Sequence, residues 1–174
     1  MLDSTPSPRG CFLLHYTRPV LTLREVRDSD LDIFFLHQQD RDACYQAAFV
    51  GENPSDRTAF NEHWARIRSK PTITIRTIEV AGEVAGYVAS FMRGDEREVT
   101  YWLGREHWGK GHATGALREF LKSEPRPIHA RAAKDNTPSI RVLEKCGFRL
   151  LREERGYANA RQCEIAEVVM VLRA

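Results

Sequence analysis

REHWGKGHATGAL, residues 105–117, follows the strand-like run VTYWLG, residues 99–104, and leads into a pattern in which Ala113, Ala116, Leu117, Phe120 and Leu121 recur at i, i+3, i+4, i+7 and i+8. That spacing predicts a buried helical face, with the whole stretch from Arg105 reading as the front of the helix. Gly109, Gly111 and Gly115 crowd this front, and Glu106 is its one acidic residue. Glycine removes side chains so that N–H groups can converge, and a helix start adds partial positive charge; together they favour an anion, most often a phosphate. The same residues also suit a plain tight turn between strand and helix. The rest of the chain has to decide between the two.

Downstream, RPIHARAAK (126–134) reads as a strand. DNTPSIRVLEKCGF (135–148) then shows a helix with a Thr137 cap, a proline at the first helical position, apolar Ile140, Val142 and Leu143, and Gly147 as the stop. FRLLREERGY (148–157) and CEIAEVVMVL (163–172) are two last strands joined by a polar loop. Upstream, TITIRTIEV (72–80), EVAGYVASFM (83–92) and EREVTYWLG (96–104) form an antiparallel meander, with turns at Ala81 and Gly82 and near Gly94 and Asp95. VLTLREV (20–26) is a further strand. DSDLDIFFLHQ (28–38) predicts a helix capped by Asp28 or Ser29, a loop runs through AAFVGENP (47–54), and Phe60, Trp64 and Ile67 line one face of a helix over residues 55–69. Residues 1–18, rich in Pro, Ser and Thr, predict a loose N-terminal arm, and residues 19–174 a single domain. The order strand, helix, strand, helix, strand from Glu98 onward predicts an α/β fold: a mixed, largely antiparallel central sheet flanked by helices.

With 42% hydrophobic and 29% charged residues, the 174-residue chain is long enough to bury one core. Its net charge of +2 is near balance and its Lys and Arg are scattered, so no nucleic-acid footprint is present. Cys11, Cys44, Cys146 and Cys163 lie far apart with no CxxC, which predicts reduced, mostly packed thiols and no metal site. The short apolar cluster near the N-terminus does not follow a basic segment, and no run approaches a membrane span. A cytoplasmic protein with no membrane partner is the expectation.

Two phosphate ligands compete. Residues 104–110 spell G-x-x-x-x-G-K, the opening of a nucleotide-triphosphate loop, but Gly111 stands where a Ser or Thr hydroxyl has to hold magnesium, and Arg105, Glu106, His107 and Trp108 are a bulky, partly acidic interior. No apolar strand ending in Asp supplies a second magnesium partner. The loop is therefore not read as a nucleotide-triphosphate site.

The other ligand is coenzyme A. WGKGHA (108–113), placed after VTYWLG, resembles the pyrophosphate-binding signature of the GNAT superfamily of acetyl-CoA-dependent N-acetyltransferases, and N-x-x-S-x-x-V-L-E-K-C-G-F (136–148) resembles its second segment. LTLREVRDSDL (21–31) is similar to the start of the ribosomal-protein-alanine acetyltransferases, the RimJ/RimL branch. The resemblance runs over residues 21–172. It implies that backbone amides of Gly109, Lys110, Gly111, His112, Ala113 and Thr114 hold the coenzyme pyrophosphate, with Lys110 free to add charge or to be a solvated surface lysine. Trp108 replaces the usual Gln or Arg at the head of the signature, removing a polar contact without touching the backbone. Trp102, Leu103 and Gly104 would lie beside the pantetheine arm, where a strand bulge commonly exposes the needed amides, and Asn136 would contact the coenzyme or cap its own helix.

Acetyl transfer to an amine needs a neutral nucleophile, stabilisation of the oxyanion of a tetrahedral intermediate, and a proton for the leaving thiolate. By resemblance, Glu98 takes the amine proton through water and a backbone amide near Leu103 meets the oxyanion. Many family members place a tyrosine where this chain has Leu143, so Ser139 is the hydroxyl left at a family position, for contact with the coenzyme and for proton donation. Phe49, His63 and Trp64 are candidates for an acceptor pocket. His107 and His112, five residues apart, do not share one helical face. The resemblance implies transfer of acetyl from acetyl-CoA to a primary amine, borne by a small molecule or a protein N-terminus. A non-catalytic acyl-CoA-binding regulatory module of the same fold is the alternative. The final strands leave room for a homodimer that the residues do not specify.

Overall fold

The computed structural model describes residues 20–173; the arm expected over residues 1–18 lies outside them. Seven strands form one sheet in the order β1-β2-β3-β4-β5-β7-β6. Strands β1 (Leu21–Arg24), β2 (Thr74–Val80), β3 (Glu83–Arg93) and β4 (Glu96–Leu103) pair antiparallel in succession. The β2–β3 turn puts Ala81 and Gly82 both at positive φ, 53° and 84°, the backbone a tight two-residue hairpin needs. Strand β5 (Ile128–Ala133) lies parallel to β4, and β7 (Cys163–Leu172) enters between β5 and β6 (Arg149–Ala158). The α/β mixed-sheet expectation holds.

Each face of the sheet carries its own helices because successive side chains of a strand point to opposite sides. On one face, α4 (His112–Phe120) and α5 (Thr137–Lys145) pack Ala116, Leu117, Phe120, Leu121 and Leu143 onto Ile78, Val88, Val99, Leu103, Ile128 and Met170. The predicted α4 stripe is the buried one, with Leu117 fully enclosed; burying each such Leu or Phe contributes about 1.5–3 kcal/mol. On the other face, α1 (Asp30–His37) and α3 (Arg57–Arg68) set Phe34, Phe60 and Trp64 against Ile75 and Ala89. The buried Asp30 fastens α1: it accepts from Arg24, from the Thr77 hydroxyl and from the Arg27 amide at 2.7–2.9 Å. Burial by itself would raise this carboxyl, but those donors hold it below the ordinary carboxylate range.

Three local expectations need correction, and one helix lies where the sequence pattern predicts no element. Helix α2 (Arg41–Ala47) occupies a segment without apolar periodicity, started by Asp40, whose carboxylate accepts from the amides of Asp42 and Ala43. Neither Asp28 nor Ser29 caps α1: Ser29 stands at the cap position without a side-chain bond. Helix α5 is capped by Asn136, which accepts from the Ser139 amide, so Thr137 is inside the helix and Pro138 is its second residue. The quoted stretch does not begin helical at Arg105. A single 3-10 turn, Arg105–His107, comes first, and α4 starts after Gly111, which is left-handed at φ 81°.

Candidate active site

The site arises where the sheet comes apart. Strands β4 and β5 pair at one position, Glu98 with His129, after which β4 continues to Leu103 and β5 to Ala133 without pairing. On its other side β4 keeps an unbroken register with β3, from Glu96 opposite Arg93 to Leu103 opposite Gly86. The sheet's register shifts fall between Ile78 and Glu79 and between Leu150 and Arg152, so the opening is made by divergence of β4 from β5 and not by the bulge expected on β4. Gly104 N–H donates to Ala85 O at 3.0 Å. By the alternation of an antiparallel ladder, Leu103 and Tyr101 therefore turn their backbone groups away from β3 and into the gap. The Leu103 carbonyl accepts from Trp108 Nε1 at 2.9 Å, which ties the glycine turn to the end of β4 and leaves the Leu103 N–H facing the opening.

Beyond that tie the backbone is open. Among the described residues, no amide from 109 to 114 has a hydrogen-bond partner, and the first bond of α4 is Gly115 N–H to Gly111 O. Gly109 and Gly111 are both at positive φ, 71° and 81°, and nothing among the described residues lies within 4 Å of where a Cβ would stand on either. Six consecutive free donors at the positive end of a helix fit a diphosphate. Lys110 is exposed beside them, while His112 and Thr114 are half-buried.

A cavity of about 660 Å³ connects the two faces of the sheet through the gap, a volume that suits a small-molecule site. Glu98 and Trp102 line it from one side of β4, Tyr101 and Ser139 from the other. Phe49, His63 and Trp64 are in its wall. Glu98 is only 3% exposed. Its Oε1 accepts from Arg131 Nε at 2.5 Å and its Oε2 from Arg93 Nε at 2.8 Å, and Arg131 also bonds Glu154 and Glu167. The buried carboxylate is thus matched by two guanidiniums rather than sheltered in an apolar pocket. The Trp102 indole N–H is sealed and has no partner among the described residues.

Asn136 is spent largely on the fold. Its Oδ1 accepts from Ser139 N–H and Gln46 Nε2, both at 3.2 Å, and its Nδ2 donates to the Gln46 carbonyl at 3.1 Å, so one amide hydrogen is left over. Leu143 is 1% exposed within the α4/α5 core. A residue with no role assigned from the sequence stands close by: the Tyr101 hydroxyl lies 2.8 Å from Ser139 Oγ, and burial pushes its pKa up to about 12. Strand alternation puts Tyr101 on the face of Val99 and Leu103, but nothing in sequence could pair it with Ser139. The same holds for Arg131 and Arg93, which meet Glu98 only through the sheet. His107 and His112 come within 5.9 Å, ring centre to ring centre, because His107 sits on the 3-10 turn and not on α4.

Comparison with known proteins identifies the family and the fold. A family described as acetyltransferase (GNAT) domain matches residues 20–149. A curated relative, the uncharacterized N-acetyltransferase p20 of Bacillus licheniformis, is 33% identical over 94 residues. The match spans 51% of this chain and about half, 52%, of that protein's length. Among solved structures, RimJ of Mycobacterium smegmatis in complex with CoA-disulfide superposes with a TM-score of 0.76 at 22% identity, over 90% of this chain and 85% of that one. Spermidine N-acetyltransferase of Vibrio cholerae in complex with CoA and spermine gives 0.74 at 19% identity, over 88% and 95%. RimL, the ribosomal L7/L12 acetyltransferase in complex with coenzyme A, gives 0.70 at 16%, over 86% and 92%. At these identities the solved structures show a common fold.

Proposed function

This chain belongs to the GNAT acetyltransferase domain family, and from that premise we propose that it transfers an acetyl group from acetyl-CoA to a primary amine, on a small molecule or at a protein N-terminus, by direct attack. The observation that carries the reading is the run of unpartnered amides at residues 109–114, set beside a cavity that passes through the opening between β4 and β5. Acetyl-CoA supplies an activated acyl group and a thiolate that leaves readily.

The amides of Gly109, Lys110, Gly111, His112, Ala113 and Thr114 hold the pyrophosphate at the start of α4. The free backbone groups of Tyr101 and Leu103 pair with the pantetheine arm alongside β4, with Trp102, Gly104 and Trp108 shaping the channel and Asn136 and Ser139 at its α5 side. Leu103 N–H points into the gap and serves as donor to the oxyanion. Glu98 accepts the amine proton through a water on the α1/α3 side, where Phe49, His63 and Trp64 wall the approach. Ser139 donates toward the leaving sulfur.

Thiol release measured over a panel of amines and peptide N-termini tests this, with Glu98→Gln as control. Acceptor-dependent release that collapses in the control supports it. Coenzyme binding with no release across the panel supports instead a non-catalytic acyl-CoA-binding module, which Leu143, at a position where many members of the family place a tyrosine, keeps in view.

A further inference from the structure

We infer that Tyr101 is a positioning residue for thiol release: its hydroxyl, 2.8 Å from Ser139 Oγ, turns the Ser139 hydroxyl hydrogen into the cavity and toward the departing sulfur. The inference rests on the proposal that acetyl-CoA occupies the gap.

Each hydroxyl has one hydrogen to give and can accept as well. A phenol is a stronger acid than an aliphatic alcohol, so Tyr101 is the natural donor of this pair and Ser139 Oγ the acceptor. The Ser139 carbonyl is also within 3.4 Å of the phenol oxygen, a second acceptor for the same hydrogen. Ser139 Oγ has no further partner among the described residues, and Ser139 lines the cavity. Once Tyr101 occupies one of its lone pairs, the Ser139 O–H is left to point at whatever fills the gap. Donation from Tyr101 also polarises that O–H, so a bond to an anion is strengthened.

The surroundings keep the phenol protonated. Burial raises it to about 12, well above neutral pH. Its cross-strand neighbour on β3 is Val88, and β5 presents Ala130 and Ala132 on the same face. From the end of α5 comes Cys146, whose thiol burial pushes up; Glu98, Arg93 and Arg131 lie on the opposite face of the sheet. With Leu143 enclosed in the core, the second hydroxyl at this point is contributed by β4 and not by α5.

The chemistry balances. The amine nitrogen forms the new C–N bond, the C–S bond breaks and its electron pair goes to sulfur. Glu98 and its water remove one proton from nitrogen. The Ser139 O–H stabilises the thiolate by donating a hydrogen bond, and solvent completes the thiol.

Titration of the thiol of bound coenzyme A tests the assignment without any acceptor. Calorimetry first establishes that the full chain and each variant bind coenzyme A. The thiolate absorbance is then followed against pH as a difference from the ligand-free protein. In the unaltered chain the bound thiol should ionise roughly one pH unit below the free one, about tenfold in ionisation, as for a hydrogen bond to a charged group. Ser139→Ala should abolish the shift, Tyr101→Phe should remove most of it although its own hydroxyl is not the one facing sulfur, and Ser139→Thr should retain it. A bound thiol that titrates alike in the unaltered chain and in Tyr101→Phe overturns the assignment while leaving the coenzyme site intact. Failure of the unaltered chain to bind coenzyme A overturns the acetyl-CoA reading itself, and this inference with it.

Discussion

Arg131 of β5 donates to Glu98 of β4 across the point where the two strands part, Nε to Oε1 at 2.5 Å, two residues beyond the single pairing of Glu98 with His129. The ion pair bridges the strands at the closed end of the opening and fixes the direction of the carboxylate proposed to receive an amine proton. Arg131 also gathers Glu154 and Glu167, so removing either member of the pair has unequal consequences.

Glu98→Gln leaves Arg131 paired with two other carboxylates, and the fold should survive with its melting temperature nearly unchanged. Turnover with a competent amine should fall by about 10²–10⁴, the range for loss of a general base. A variant that keeps turnover within a few-fold of the original would remove Glu98 from the mechanism.

Arg131→Gln is the opposite case. It leaves Glu167 without its guanidinium and Glu98 and Glu154 with Arg93 and Arg152 alone, three carboxylates near one another on the same face, with Arg131 itself mostly enclosed at 16% side-chain exposure. Breaking a buried pair in this way costs about 3–5 kcal/mol, readable as a lower urea midpoint. A midpoint shift equivalent to less than about 1 kcal/mol would show that the carboxylates are solvated rather than held.

Gly86 lies opposite Leu103 on the β3–β4 ladder, and a Cβ built on it would stand 1.9 Å from the Trp102 carbonyl oxygen. The oxygen belongs to backbone and a Cβ is fixed directly to Cα, so neither can swing away. Gly86→Ala should cost more than about 3 kcal/mol or prevent folding. Near-normal unfolding of that variant would mean β4 does not approach β3 as described.

At Gly111 the constraint is different. Nothing crowds a Cβ there, yet φ is 81°, and a non-glycine residue in that conformation costs about 1–2 kcal/mol. Gly111→Val should bind coenzyme A at least about tenfold more weakly, one donor contact's worth, while Gly111→Asn, which tolerates left-handed backbone, should bind better than the valine variant. Equal affinity in all three proteins would detach the turn from coenzyme binding.

His37 couples stability to pH. It is buried beneath Gly104, with Nε2 3.2 Å from Glu106 Oε1. Burial holds its imidazole below the ordinary 6.5, only partly offset by Glu106. The unfolded chain therefore takes up this proton at a higher pH than the folded one, and stability falls as pH drops below about 6.5 and levels off once the folded imidazole is protonated. Burial likewise lowers His112, with the same sign. Urea midpoints taken between about pH 7.5 and about pH 5 should decline, and His37→Gln should flatten the decline. A slope untouched by that substitution would rule His37 out as its source.

The sequence alone determined the elements that carry their own periodicity or turn chemistry: the α4 stripe from Ala113 to Leu121, the hairpin at Ala81 and Gly82, and a glycine-rich turn whose amides lack a local partner. These depend on neighbours within a few residues, so the local pattern contains the physical cause. Helix α2 escaped because seven residues capped by Asp40 show no apolar repeat. Helix α4 starts later than its pattern predicts because the left-handed glycines at 109 and 111 hold off the first helical turn. Only the tertiary structure decided the rest. The divergence of β4 from β5, the Arg131 grip on Glu98 and the Tyr101–Ser139 contact join residues 33 and 38 positions apart, and those meetings depend on which strand edges pair and how far, a matter of packing seven strands against two helical layers rather than of any local preference.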